Sequence, residues 1–550
     1  MRRLSRRLPV IGALLIAGGA AAPPVATVTL APGPMVEASN RGEVGIVIAV
    51  PGVSAPGGVP LFEIPEGATP IVTDAAGVVR GTTGAERNWT PQRAVSGDLT
   101  IRYRVTVTNT PTNGGTTPIN PRLDGSGFSA IGMTLLAVPD LKTPYRIRIV
   151  WDLARMGPGA TAVSSAGDGN AEMPAGPLSR LGSTAFMAGR LTRDPVPAQG
   201  KFSAAWSGDP GFDPHPPMQW AGALHSYMTK FFATPDDPAY RVFIRRNGLN
   251  NPGGGVAFPN SFFATYGPGV TGENMKQILG HEMTHTFTMN GLGNWYDEGD
   301  AVFYQVRLPW LAGMTSTETY LRDINLTAAR YYTNAEIDAA EERIIPNFFT
   351  NTWLNTLGYD RGALYFAVLD GRIRRASSGR RSVDDLVRAL VHLKRSGKDI
   401  TESDWLDLVR REIGEDGVTV HRAMLSGGVV VPESGDYGPC FRRYSTKIRR
   451  YEMGFTAKAG PDGRKIVSLL IPGSEADRAG VRNGDIVVLP VITTEGVKRD
   501  PAATMTVAIT RADRTFSLTF LPRGAAFDAY QWQRVPEVPD SACRRLGAAA

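Results

Sequence analysis

The segment Leu279-Gly280-His281-Glu282-Met283-Thr284-His285 sets two imidazoles four residues apart with a carboxylate beside the first. On an α-helix, residues four apart share a face, so His281 and His285 can bind one zinc ion while Glu282 activates water. The chain has only six histidines in 550 residues, and the pattern arises by chance on the order of a few times per thousand such chains. A catalytic zinc takes three protein ligands and keeps one position open. A third histidine at the metzincin spacing is absent, since Thr288 and Gly291 stand where the Gly and His of that longer motif fall. The third ligand is therefore expected in Asn294-Trp295-Tyr296-Asp297-Glu298-Gly299-Asp300-Ala301, with Glu298 favoured and Asp297 as the alternative.

These side chains need helices to aim them. Met275, Leu279, Met283 and Phe287 form an apolar stripe that buries the motif helix. After a turn over 290–294, a second helix is expected to run towards Leu308 and stop at Pro309. Trp220, Leu224, Tyr227, Met228 and Phe231 recur at helical spacing ahead of the motif. Between these helices the chain reads as a hairpin with strands over 240–245 and 256–265, joined through Asn250, Asn251, Pro252 and the glycines 253–255. Helices dominate from 271 to about 425, two of them opened by Ser382 with Asp385 and Thr401 with Asp404. Upstream, over about 43–205, the alternation in Ile101-Arg-Tyr103-Arg-Val105-Thr-Val107 and Tyr145-Arg-Ile147-Arg-Ile149 reads as an antiparallel sheet with one wet face. Short strands return over about 450–523, with one helical piece near 473–480.

Composition narrows the class. A chain that is 42% hydrophobic and 20% charged can bury a large core and suggests about three or four domains. Gly (62) and Pro (41) are frequent but follow no tripeptide period, which excludes collagen. A mean hydropathy of −0.14 excludes a polytopic membrane protein. Of the net charge of +7, Arg2, Arg3, Arg6 and Arg7 carry four, leaving about +3 spread among alternating acids and bases; no nucleic-acid partner is expected. Those arginines precede an apolar run over 9–16 and small residues over 18–22, the layout of a secretory signal peptide cut between 20 and 26. A secreted or periplasmic location follows, with a twin-arginine route or a retained anchor as alternatives. In that compartment Cys440 and Cys543 can form a disulfide or remain two thiols.

The His281-Glu282-x-x-His285 motif followed by Glu298-Gly299 resembles the gluzincin metallopeptidases, and the whole layout is similar to the glycyl aminopeptidase family. That resemblance implies a multidomain α+β chain: a signal peptide over 1–26, an N-terminal antiparallel β domain over 27–205, a mainly helical thermolysin-like zinc peptidase domain over 206–435, and a C-terminal PDZ domain over 440–545. Tyr359-Asp-Arg361-Gly362 is similar to the family's Tyr-x-Lys-Gly helix and implies that Tyr359 donates to the oxyanion, with Arg361 replacing the usual lysine. Met453-Gly454-Phe455, the stretch 472–480 and Asn483-Gly484-Asp485 look like a PDZ domain, which implies a C-terminal peptide as partner. The family, like the aminopeptidase N family, places a Gly-rich strand beside the zinc, with a glutamate that holds the substrate's amine. The matching stretch here is Gly254-Gly255-Val256-Ala257, and Ala257 stands where that acid would be. The interval from His285 to Glu298 is also shorter than these families usually have.

The resulting expectation is a zinc-dependent peptidase acting on peptide or protein substrates. His281, His285 and Glu298 hold Zn2+, Glu282 is the general base, and N-terminal trimming is favoured through the family resemblance. A zinc endopeptidase, or a peptide-binding protein that uses the same scaffold without turnover, are the alternatives.

Overall fold

The computed structural model describes residues 22–110, 119–195, 201–234, 239–247, 253–267, 269–459, 464–489, 497 and 500–544. The signal segment lies outside these up to residue 21, and the first strand, Val25–Pro32, already includes Ala26 as a fully buried residue. Among the described residues no helix is long and apolar enough to cross a membrane.

Alternating side chains build the N-terminal unit. In Val95–Val107, Leu99, Ile101, Tyr103, Val105 and Val107 turn inward, and Arg102 and Arg104 face water. This strand lies within a seven-stranded sheet with the order Ala171–Gly176, Tyr145–Trp151, Val25–Pro32, Gly42–Ala55, Val95–Val107, Ile71–Asp74, Gly77–Val78. The sheet departs from the expected all-antiparallel pattern in one pair, Val25–Pro32 running parallel to Tyr145–Trp151. Period-two patterning marks a strand's faces but not its direction, and these two strands are far apart in the chain.

A second sheet carries the site. Its order is Thr192–Asp194, Phe202–Trp206, Tyr240–Arg246, Ser261–Tyr266, Gly253–Phe258, with parallel pairs in the middle. Thr192–Asp194 precedes residue 206 and Phe202–Trp206 ends on it, so the boundary expected there falls inside the sheet. The hairpin also differs from expectation. Gly253–Phe258 pairs antiparallel with Ser261–Tyr266 around Pro259 and Asn260, whose φ is 52°, and Tyr240–Arg246 runs parallel to Ser261–Tyr266 instead of turning back on it. The glycines read as a turn are thus strand residues at the sheet's edge.

One face of this sheet, through Phe243 and Phe263, packs on Ile131, Val163 and Met187 of the N-terminal unit. Tyr266 adds a polar tie by donating to the buried Asp124 at 2.7 Å. The other face, through Val242, Ile244, Phe262 and Ala264, packs on the helices. These include His215–Phe231, Gly272–Thr288, Asn294–Leu311, Thr317–Tyr332, Thr352–Ala376, Val383–Arg395 and Glu402–Leu425. Pro309 does not stop its helix, which continues to Leu311. So close to the end, proline forfeits a single backbone bond, to the carbonyl of Gln305.

At the C-terminus a two-stranded ribbon, Phe441–Tyr451 with Arg523–Arg534, leads to a five-stranded antiparallel sheet with its own core of Phe455, Val467, Val481, Val507 and Ile509. The ribbon docks on the helices. The Asn325 amide donates to the Trp532 carbonyl and accepts from its N–H, both at 2.8 Å. Cys440 and Cys543 are joined as a disulfide, with their Cα atoms 5.2 Å apart.

Candidate metal centre

The motif helix Gly272–Thr288 is started by reciprocal capping. Thr271 Oγ1 accepts from the Asn274 N–H at 3.2 Å, and Asn274 Oδ1 accepts from the Thr271 N–H at 2.8 Å. Met275, Leu279 and Met283 are fully buried on one stripe. His281 and His285 stand on another, their rings 4.7 Å apart between centroids.

The loop after this helix returns the chain for the second. Asp297 Oδ1 accepts from the N–H groups of Gly291 at 2.8 Å and Leu292 at 3.4 Å. Asp297, the alternative ligand, is therefore engaged in closing the loop. Its neighbour Glu298 turns towards the histidines, its Oε2 lying 3.2 Å from His281 Nε2 and 3.5 Å from His285 Nε2. The two Nε2 atoms are 3.1 Å apart. Donor atoms of His281, His285 and Glu298 all fall within 4.8 Å of one another.

This donor set fits a zinc ion. His281 Nδ1 lies 2.9 Å from Gln305 Oε1, and an amide oxygen only accepts, so Nδ1 carries the proton and the Nε2 lone pair faces the cluster. Two neutral imidazole nitrogens and a carboxylate oxygen converging on one point are donor types that a catalytic zinc site uses. Burial opposes charge on His285, but the hydrogen bond and charge of Glu298 outweigh it, so its pKa is pushed up to about 9. Burial likewise opposes ionisation of Glu298, and the two imidazoles nevertheless hold its carboxyl well below the usual range.

Two close backbone approaches place the remaining groups. A Cβ on Gly299 would meet Gly362 Cα at 2.5 Å, and one on Gly362 would meet the Trp295 carbonyl oxygen at 2.1 Å. The helices Asn294–Leu311 and Thr352–Ala376 therefore cross in contact at two glycines, one residue beyond Glu298 and three beyond Tyr359. The Tyr359 ring stacks on the His281 ring, with centroids 5.8 Å apart and planes at 21°. Arg361 points elsewhere, buried and donating to the Ile337 carbonyl at 2.8 Å.

The second approach is at the edge strand. A Cβ on Gly255 would meet Glu282 Cγ at 2.2 Å and its Oε1 at 2.5 Å. The strand thus passes directly over the Glu282 side chain, which is 6% exposed. Burial raises the Glu282 carboxyl above its ordinary value, with the charges of His281 and His285 pulling the other way. Ala257, two residues on, lies against the core shared with the helices, while Val256 and Phe258 pack on the side of the N-terminal unit. Gly254 is tied down by Thr265, whose hydroxyl accepts from its N–H at 3.0 Å and donates to its carbonyl at 2.9 Å.

Gln305 was not singled out from the sequence. It lies seven residues after Glu298, two helical turns along the same face, and that spacing is the signal that could have found it.

No family model matches the sequence, and no curated protein matches it either. Solved structures do match the fold. An aminopeptidase N family protein from Idiomarina loihiensis superposes with a TM-score of 0.66 at 15% identity, covering 95% of this chain and all of that one. An M1 zinc metallopeptidase from Deinococcus radiodurans matches with a TM-score of 0.50 at 14% identity, over 75% of this chain and 96% of its own. A variant of that enzyme bound to a Tyr-Ser-Ala substrate matches with a TM-score of 0.50 at 15% identity, over 75% of this chain and 95% of its own. The β-rich N-terminal part and the helical part that holds the His281, His285 and Glu298 cluster thus share the fold of zinc metallopeptidases of the aminopeptidase N type.

Proposed function

We propose that the chain is a zinc-dependent peptidase. The observation that carries this reading is the convergence of His281, His285 and Glu298 within 4.8 Å, beside a buried glutamate that lies under an edge strand. His281, His285 and Glu298 would hold a zinc ion, which would supply Lewis acidity to polarise a peptide carbonyl and to ease deprotonation of the attacking water. Glu282 takes the proton released by the attacking water and returns it to the leaving amine. Burial suits it to this work, because a raised carboxyl pKa lies nearer neutrality. Tyr359 donates a hydrogen bond to the oxyanion that develops at the carbonyl. The edge strand Gly253–Phe258, with Gly254, Gly255, Val256 and Ala257, aligns an extended substrate by strand addition.

Family resemblance favours removal of N-terminal residues, in the manner of the glycyl aminopeptidases. Ala257 favours the second reading, an endopeptidase, because this position offers no carboxylate to hold a free amine. In this reading the small C-terminal sheet is a PDZ domain that takes a C-terminal peptide, and the chain is exported. A signal cut ahead of Pro23 leaves the strand Val25–Pro32 whole.

Mass spectrometry of a mixed peptide library incubated with purified protein, paired with Glu282→Gln, tests the proposal. Cleavage by the unsubstituted protein alone, with equal zinc content in both, is the expected result. The product ends then separate single-residue trimming from internal cleavage. An unchanged library in both samples overturns the peptidase reading and leaves a peptide-binding protein on the same scaffold.

A further inference from the structure

The short helix Glu341–Asn347 and the residues after it carry two apolar stripes at i, i+4 spacing. Ile344 and Phe348 are buried, 0% and 6% exposed, whereas Ile345 and Phe349 are 59% and 76% exposed. Among the described residues, Phe349 is the most exposed large apolar side chain. Single exposed apolar residues need no explanation, but a preformed pair next to a reactive centre does.

Phe348, next to Phe349, connects this segment to the candidate metal centre. The Phe348 ring stacks on Tyr359, with centroids 5.9 Å apart and planes at 15°, and Tyr359 stacks in turn on His281. Phe349 meets Phe348 edge-on at 5.1 Å. A continuous series of rings therefore runs from the metal-facing histidine to the exposed Phe349. The segment ends at the N-cap of the next helix. Asn351 Oδ1 accepts from the N–H groups of Trp353 at 2.9 Å and Leu354 at 3.3 Å, tying the segment to the start of the helix that bears Tyr359.

We infer that Ile345 and Phe349 form an apolar subsite that selects peptides with a large aliphatic or aromatic side chain close to the cleaved bond. The inference rests on the peptidase reading. It follows from the position of Phe349, two rings from Tyr359 with Phe348 between them, and from the chemistry of the pair. The exposed face offers an alkyl chain and a ring, so a substrate side chain covering it must gain by leaving water. Glycine or serine at that place in the substrate gains nothing.

Binding can be measured without turnover. Two fluorescent peptides, identical except that a central Leu-Phe pair in one is Ser-Gly in the other, are titrated by anisotropy into Glu282→Gln protein. The same titration is repeated with Ile345→Ser and Phe349→Ser added. The Leu-Phe peptide is expected to bind at least about 10-fold more tightly to Glu282→Gln, with the preference falling below about 2-fold in the added double variant. Phe349→Leu should keep most of it. Both positions are exposed, so an unchanged melting temperature shows that the variant is folded. Equal affinities for Glu282→Gln, or a preference that survives both serines, would falsify the assignment. Cleavage by the unsubstituted protein is scored separately, so a Leu-Phe preference without cleavage sinks the peptidase reading and leaves the apolar contact standing.

Discussion

The helices around the candidate metal centre bury several of their ion pairs, whereas the C-terminal unit keeps most of its own towards the surface. Arg307, 1% exposed, lies between Asp370 at 3.1 Å and Asp384 at 3.0 Å, and Tyr304 donates to the same Asp384 at 2.9 Å. Arg330 holds Asp360 with two hydrogen bonds of 2.7 Å. In the C-terminal unit, Lys447 and Asp528 pair at 67% and 90% exposure, and Arg478 is 62% exposed beside Glu475. Buried pairs are costly to desolvate and add little net stability, but they are directional, and misplacing one partner strands a charge in a dry interior. Arg307 and Arg330 tie the Tyr359 helix to the Glu298 helix and to Thr317–Tyr332, so they hold relative positions that packing alone would leave looser. In the C-terminal unit such a pair is the exception: Arg511 holds the buried Asp485 with two hydrogen bonds of 2.7 Å, and the other pairs lie towards the surface. The unit is secured by a small apolar core and a covalent link.

Breaking the buried side of this contrast should have the largest effect. Arg307→Leu leaves Asp370 and Asp384 without their shared cation and should cost about 3–5 kcal/mol in urea unfolding. Lys447→Ala, the surface counterpart, should leave the melting temperature unchanged within error. If the two substitutions cost the same, burial does not distinguish these regions. Next comes the covalent link. Replacing both Cys440 and Cys543 with serine removes a closure spanning 103 residues, worth at most about 4–5 kcal/mol by chain entropy. That loss should appear as earlier unfolding of the C-terminal unit while zinc content is retained. A helical transition that falls equally would show that the two units unfold as one.

Much of this arrangement was legible in advance, because burial leaves a period. The stripe Met275, Leu279, Met283, Phe287 marked the motif helix, and the Ser382 and Thr401 caps marked the starts of two others as the structure has them. What escaped depends on neighbours remote in sequence. A glycine run reads as a turn when only local flexibility is weighed. Gly255 is instead glycine in a strand because Glu282, twenty-seven residues on, occupies the space its side chain would need. Direction in the N-terminal sheet was equally hidden, since parallel and antiparallel partners share the same alternation. Gln305 escaped because a polar residue midway along a helix looks solvated until a histidine from another helix is brought against it.

Gly255, a turn residue on local flexibility alone but a strand residue by the family resemblance, supplies the third effect. Gly255→Ala places a methyl group where the Glu282 carboxylate now lies, so Glu282 must shift. A displacement on that scale should lower kcat/KM by about 100-fold, with zinc content and melting temperature close to those of the unsubstituted protein. Equal loss of zinc would mean that the strand supports the ligand cluster as well as the base.

The smallest effect tests how the two histidines differ. His281 Nδ1 is met by Gln305, whereas His285 Nδ1 is buried without a hydrogen-bond partner among the described residues. Among the described residues, one of the two candidate ligand rings is therefore fixed in tautomer and angle by a neighbouring acceptor, and that ring is also the one stacked on Tyr359. Gln305→Ala should weaken zinc binding about 10-fold to 100-fold in chelator competition, with Glu282 chemistry intact once the metal is saturating. Gln305→Glu retains the acceptor and should restore most of that affinity. If alanine and glutamate behave alike, the Tyr359 ring and not the amide sets the orientation of His281, and the helix crossing at Gly299 and Gly362 becomes the element that holds both the ligand and the oxyanion donor.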